Sequence, residues 1–168
     1  IDFPHNVEFG DRSSRYARNL KTLTFTGPGE IKKENILKFL PCGVPGVFFR
    51  HNIEKLFGKK DSMKIDDKLT IDLWAGCLHE DGTLDLSSFD METFKTLRFA
   101  SNDCVKKVIW PQGIDVIPEE MFSECGSLEE ITIPNTVNKI GKYAFQYGNN
   151  LRKVTFEAGR TENLFIGK

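Results

Sequence analysis

The chain has 168 residues, 39% of them hydrophobic and 28% charged, with a net charge of -1. That balance suits a water-exposed chain with one sizeable core, or two small ones. It gives no basic excess of the kind that nucleic acid or an anionic membrane surface requires. No apolar run approaches the roughly 20 residues of a membrane span, and "IDFPHNVEFGDR" lacks the basic start and apolar stretch of a signal peptide.

In chain order, "LKTLTFTGPGE" opens with Leu20, Leu23 and Phe25 spaced as in a strand, and "GPG" then breaks it. "EIKKENILKFL" predicts a short helix with Ile36, Leu37 and Leu40 on one face, stopped by Pro41. "NIEKLFG" predicts a second helix, with Asn52 as N-cap, Ile53, Leu56 and Phe57 inward, and Gly58 just past its end. "KLTIDLW" alternates Leu69, Ile71 and Leu73 as a strand does, and "TLDLSSF" supplies another around Leu84 and Leu86. "FKTLRF" repeats the strand opening with Phe94, Leu97 and Phe99, which leaves a truncated turn before Val105.

From Val105 the chain repeats itself. "KKVIWPQGIDVIPEEMF" and "EEITIPNTVNKIGKYAF" align at a constant offset of 23, which pairs Val108 with Ile131, Trp110 with Ile133, Pro111 with Pro134, Ile117 with Ile140 and Phe122 with Phe145. A third copy begins with Leu151, Val154 and Phe156, then reaches Ile166 three residues late. Each copy reads as a strand ended by a proline that cannot donate to a ladder, a turn that brings apolar residues inward, and a short helical turn burying a Phe. Pro118 is expected at the first helical position of its copy, followed by Glu119 and Glu120 at the positive end. One unit cannot close a core alone, whereas stacked units cover one another. The expected architecture is therefore an α/β solenoid with a parallel strand face, short helical or 3-10 return segments and an irregular N-terminal α/β cap. Residues 1–100 read as the cap with degenerate repeats, and residues 101–168 as regular 23-residue repeats. The pattern still owes a helical turn and a buried Phe at Lys168, so a truncated C-terminus is expected, with an uncapped end able to self-associate. The start at Ile1 without Met suggests a mature form or a trimmed chain.

The candidate chemistry is sparse. "HEDG" at 79–82 reads as an exposed turn, because three consecutive polar residues on one element do not face one point. Cys77 with His79 is a weak nucleophile pair with no third orienting group. "GPGE" lacks the spacing and the Lys of a phosphate loop, and His5 and His51 are isolated. Cys42, Cys77, Cys104 and Cys125 form no CxxC pair and read first as small hydrophobes, with a Cys104–Cys125 bridge as the alternative. No enzyme signature and no cofactor site emerges.

The residues between the buried strand positions fall into two exposed columns on the concave face. One holds Thr96, Lys107, Glu130 and Lys153, the other Arg98, Ile109, Thr132 and Thr155. They read either as matched surface charge or as a partner-facing patch. Ile109, an apolar residue among polar neighbours, favours contact.

"LEEITIPNTVNKIGKYAF" closely resembles the BspA-type leucine-rich repeat, L-x-x-I-x-I-P-x-x-V-x-x-I-G-x-x-A-F, over residues 105–156. Pro118 stands in place of the family glycine and Met121 in place of its Ala. The resemblance implies a non-catalytic adhesion or protein-binding scaffold, cell-surface or secreted, with a protein as partner. Glycan or cell-wall binding is the alternative, for which Tyr143, Tyr147 or Trp74 would line a groove. A spacer in a longer surface protein is a further alternative.

Overall fold

A computed structural model describes residues 2–10, 17–39 and 41–167. The chain divides into two compact units, Ile1–Gly76 and Cys77–Lys168.

In the first unit, β1 (Asp2–Pro4) runs parallel to β2 (Thr22–Thr26), and β2 pairs antiparallel with β5 (Lys68–Asp72). A hairpin joins β3 (Gly29–Lys32) to β4 (Ser62–Ile65). Leu23, Phe25 and Ile71 are buried, as their alternation requires, and Phe25 joins Phe3, Phe9 and Phe39 in a ring cluster with centroids 4.8 to 6.3 Å apart. The Asn35 side chain pins the incoming segment, accepting from Phe9 N at 2.9 Å and donating to Val7 O at 2.6 Å.

Both predicted helices in this unit exist with different bounds. α1 is Lys33–Lys38 and starts later than expected, because Glu30 and Ile31 are drawn into the hairpin. It buries Ile36, while Leu40 lies outside the described residues. α2 is Gly46–Phe57 with Pro45 as its N-cap, so it begins seven residues earlier than an N-cap at Asn52 would set. Asn52 is therefore not a cap. It sits within the helix and donates from Nδ2 to Asp72 O. Phe48, Phe49, Ile53 and Phe57 form the buried stripe, and Leu56 stands outside it. Gly58 follows the helix at φ +58, as the C-terminal signal required.

The second unit carries the repeats. β6 (Thr83–Asp85) pairs parallel with β7 (Lys107–Ile109), Thr83 opposite Lys107 and Asp85 opposite Ile109. β9 (Glu130–Ile133) pairs parallel with β11 (Lys153–Phe156), Glu130 opposite Lys153. A second column holds β8 (Val116–Ile117), β10 (Lys139–Ile140) and β12 (Phe165–Ile166), all parallel, and there Ile140 meets Ile166 despite the three extra residues. The strand face is thus divided into separate small sheets. β7 and β9 are not joined by a ladder. Between them the Trp110 indole donates from Nε1 to Thr132 O at 2.7 Å.

"FKTLRF" is not a strand: Phe94 lies in helix α3 (Met91–Thr96), which is capped by the Asp90 carboxylate accepting from Thr93 N at 2.7 Å. The strand that neighbours β7 is β6, so a full turn of chain precedes Val105. Phe94, Leu97 and Phe99 are buried, but Phe99 belongs to the aromatic spine. Phe99, Phe122 and Phe145 stack with centroids 5.6 and 6.1 Å apart and planes within 11° and 6°.

The return segments also differ from a helical turn. Glu120 and Tyr143, and Ser101, Glu124 and Tyr147, all carry positive φ. Left-handed residues at these positions interrupt any right-handed helix. Their alternate N–H groups instead bond to the next copy: Phe99 to Met121 O (2.7 Å), Ser101 to Ser123 O (2.7 Å), Glu120 to Lys142 O (3.0 Å), Phe122 to Ala144 O (2.8 Å) and Glu124 to Gln146 O (2.6 Å). Pro118 accordingly precedes a turn. Gly141 is demanded by closeness, since a Cβ there would stand 2.4 Å from Glu119 N and 2.7 Å from its Cα.

Candidate functional site

The parallel strands place the alternating residues of the sequence on one exposed face. Lys107, Ile109, Glu130, Thr132, Lys153 and Thr155 are all exposed, and the register sets Glu130 beside Lys153 and Thr132 beside Thr155. Lys153 Nζ lies 3.8 Å from Glu130 Oε2, and Arg152 pairs with Glu129 one residue earlier. These contacts are open to water, so each contributes about 0–1 kcal/mol and matches charge more than it fastens strands. Ile109 is 44% exposed.

Arg98 and Thr96 are placed elsewhere. Thr96 ends α3, and the Arg98 guanidinium folds back to donate from Nη1 to Lys95 O at 3.1 Å and Leu97 O at 2.8 Å. The residue beside Ile109 in the register is Asp85, and the one beside Lys107 is Thr83. Thr83 and Asp85 stand where the sequence pattern put Thr96 and Arg98, because the strand in this register is β6 and not residues 94–99. Asp85 accepts from Ser87, which holds its carboxyl below the ordinary value.

At the ends of these strands lies a groove of about 500 Å³, bordered by Ile109, Trp110, Pro111, Thr132, Pro134 and Glu157. Trp110 forms its wall. Its ring packs edge-to-face against Phe94 and Phe122 with centroids 6.2 and 6.0 Å away, and its N–H is committed to Thr132 O. The repeat alignment pairs Trp110 with Ile133, which is buried, and so gives it no surface role. The signal was present in its size, since an indole does not fit a slot built for Ile and part of it must reach the surface. Glu157 closes one side, where its Oε2 accepts from Asn135 N at 3.2 Å.

The remaining candidates resolve simply. His79 N donates to Thr83 O at 2.9 Å and Asp81 accepts from Thr83 N and Oγ1, so "HEDG" is a self-capped exposed turn. Those bonds to Thr83 lower the Asp81 pKa. Cys104 and Cys125 are buried, and Cys42 and Cys77 are half-buried. Among the described residues no group of three or more His, Cys, Asp or Glu could hold a metal ion. No helix among them is long and apolar enough to cross a membrane. Trp74 is 1% exposed, donates from Nε1 to Leu20 O at 3.1 Å and cannot line a glycan groove. Tyr143 and Tyr147 are exposed and lie on the return segments.

Residues 83–164 match the family described as BspA type leucine rich repeat region (6 copies). No curated protein and no solved structure matches the chain.

Proposed function

From the membership of residues 83–164 in the BspA-type leucine-rich repeat family, we propose that the chain is a non-catalytic interaction module. It builds its repeats into a solenoid and binds a protein partner through the strand face. The observation that supports this most is the exposed row Lys107, Ile109, Glu130, Thr132, Lys153 and Thr155, with the half-exposed Ile109 at the mouth of the Trp110 groove. Repeats of this kind gain extended surfaces by stacking, and such surfaces suit macromolecules. An apolar anchor within a polar rim is the usual anatomy of a protein contact. We assign the module to the cell surface or the secreted space, as its family resemblance suggests. Glycan binding loses one of its three aromatic supports with the burial of Trp74.

The test is capture from a panel of extracellular-matrix and cell-surface proteins, with Lys107→Glu/Ile109→Asp run beside the unmodified chain. Both side chains are exposed, so the variant should keep its circular dichroism spectrum. Loss of a captured partner supports the strand face. Binding that survives in the folded variant refutes it. Competition by soluble oligosaccharide would move the assignment to glycans, and the absence of any partner would favour a spacer.

A further inference from the structure

The groove beside Trp110 sits at a break in the strand face, where no ladder joins β7 to β9 and the indole donates to Thr132 O instead. Pro111 and Pro134 follow the two strands at matched positions and have no N–H to give. At these places an incoming segment finds no backbone donor, so strand addition is disfavoured and side chains must hold it. The walls are chemically one-sided. Ile109, Trp110, Pro111 and Pro134 supply apolar surface, all of it from the first two copies. Among the described residues bordering the groove, Glu157 alone carries charge. Its Oε2 accepts from Asn135 N at 3.2 Å, and it makes no ion pair among the described residues. Arg160 donates to Pro134 O and Val137 O and does not border the groove. Asp85, beside Ile109 in the register, adds a second carboxylate to the same part of the face.

We infer that the groove takes a lysine or arginine side chain from an extended segment of the partner protein. This rests on the strand-face reading above and names the chemistry that the face selects. Such a side chain has an apolar stem and a charged head. The stem lies along Ile109 and Trp110, and the head meets the Glu157 carboxylate. A wholly apolar side chain would leave that carboxylate facing an apolar group, and an acidic one would meet like charge. Trp110 is already held by its bond to Thr132 O and its edge-to-face contacts with Phe94 and Phe122, so little side-chain freedom is lost when the groove fills. An indole beside a cation adds attraction of its own.

The test is nuclear magnetic resonance of the isotope-labelled 168-residue chain, whose two tryptophans give two indole N–H signals. The signal missing from Trp110→Phe belongs to Trp110. The other belongs to Trp74, which is buried and serves as the control. Three peptides are titrated to millimolar concentration: acetyl-Gly-Pro-Arg-Pro-Gly-amide, and the same peptide with norleucine or glutamate at its centre. The arginine peptide should move the Trp110 signal and leave the Trp74 signal in place. The norleucine peptide should bind about three to five times more weakly and the glutamate peptide more weakly still, a modest gap because the charge contact is open to water. Glu157→Gln keeps the shape of an exposed side chain and should bring the arginine and norleucine peptides within about twofold of each other. A Trp110 signal that ignores the arginine peptide, a norleucine peptide that binds as well, or an arginine preference undiminished in Glu157→Gln would each overturn the inference. These titrations involve no captured protein, so their failure leaves the strand-face reading to its own test. A captured partner lost by Lys107→Glu/Ile109→Asp but kept in full by Glu157→Gln would uphold that reading and overturn this one.

Discussion

Replacing Phe122 by Ala removes the middle ring of the spine. That ring is fully buried, stacked on Phe99 at 5.6 Å and Phe145 at 6.1 Å, and met edge-on by Trp110 at 6.0 Å. Phe→Ala in a core costs about 3–5 kcal/mol. The upper half applies here, because rings on both sides are held by their own backbone bonds and cannot collapse into the space: Phe99 N is tied to Met121 O at 2.7 Å. Phe145 is the contrast. It stacks on Phe122 at the end of the spine and is partly exposed, so Phe145→Ala should cost about 1.5–3 kcal/mol. A domain is stable by about 5–15 kcal/mol, so the first change consumes a large share and the second does not. Urea unfolding followed by far-ultraviolet circular dichroism, with hydrogen exchange to place the loss within 77–168, measures both. Equal costs, or a Phe122→Ala cost below about 1 kcal/mol, would refute the stacked-spine account.

Gly141→Ala should destabilise the second unit by about 1–3 kcal/mol, because the new methyl would meet the Pro118–Glu119 backbone rather than a movable side chain, and thermal unfolding would show it. Trp110→Phe keeps the ring but loses the donor to Thr132 O, and should cost about 0.5–1.5 kcal/mol in urea unfolding. Asp90 has its pKa lowered by the bonds it accepts from Thr93. Its contribution is therefore present above its ordinary value of 3.8 and is lost as pH falls through the lower folded value. The stability difference between the native chain and Asp90→Asn should be constant near neutrality and shrink in acid, as a pH series of thermal melts would show. Removing the exposed Arg152–Glu129 pair with Arg152→Gln should change stability by no more than about 1 kcal/mol.

The repeat was legible because its period is written in side chains whose burial the fold imposes. Ile131, Ile133, Val137, Ile140 and Ala144 recur where a stacked turn needs apolar atoms, and all are buried. The exposed residues between them follow from strand alternation alone, so six of the seven candidate face residues were readable without coordinates. Arg98 was not, because Phe94, Leu97 and Phe99 mimic a strand opening while serving a helix and the spine. Buried apolar residues look alike in sequence whichever element carries them. The start of α2 was hidden for a related reason: "GVFFRH" has a glycine and aromatics that no local rule assigns to a helix, and packing of Phe48 and Phe49 decided it.

The sequence by itself determined the period, the identity of the inward positions and the absence of basic or long apolar stretches, because each depends only on which residues recur and how far apart. Tertiary structure decided what lies beside what. It set Asp85 rather than Arg98 next to Ile109, turned the expected helical segments into turns bonded from copy to copy, and brought Trp110 out between two strands to wall a groove. These facts depend on neighbours a full repeat away, and a hydrogen bond between copies has no signature in the residues that make it.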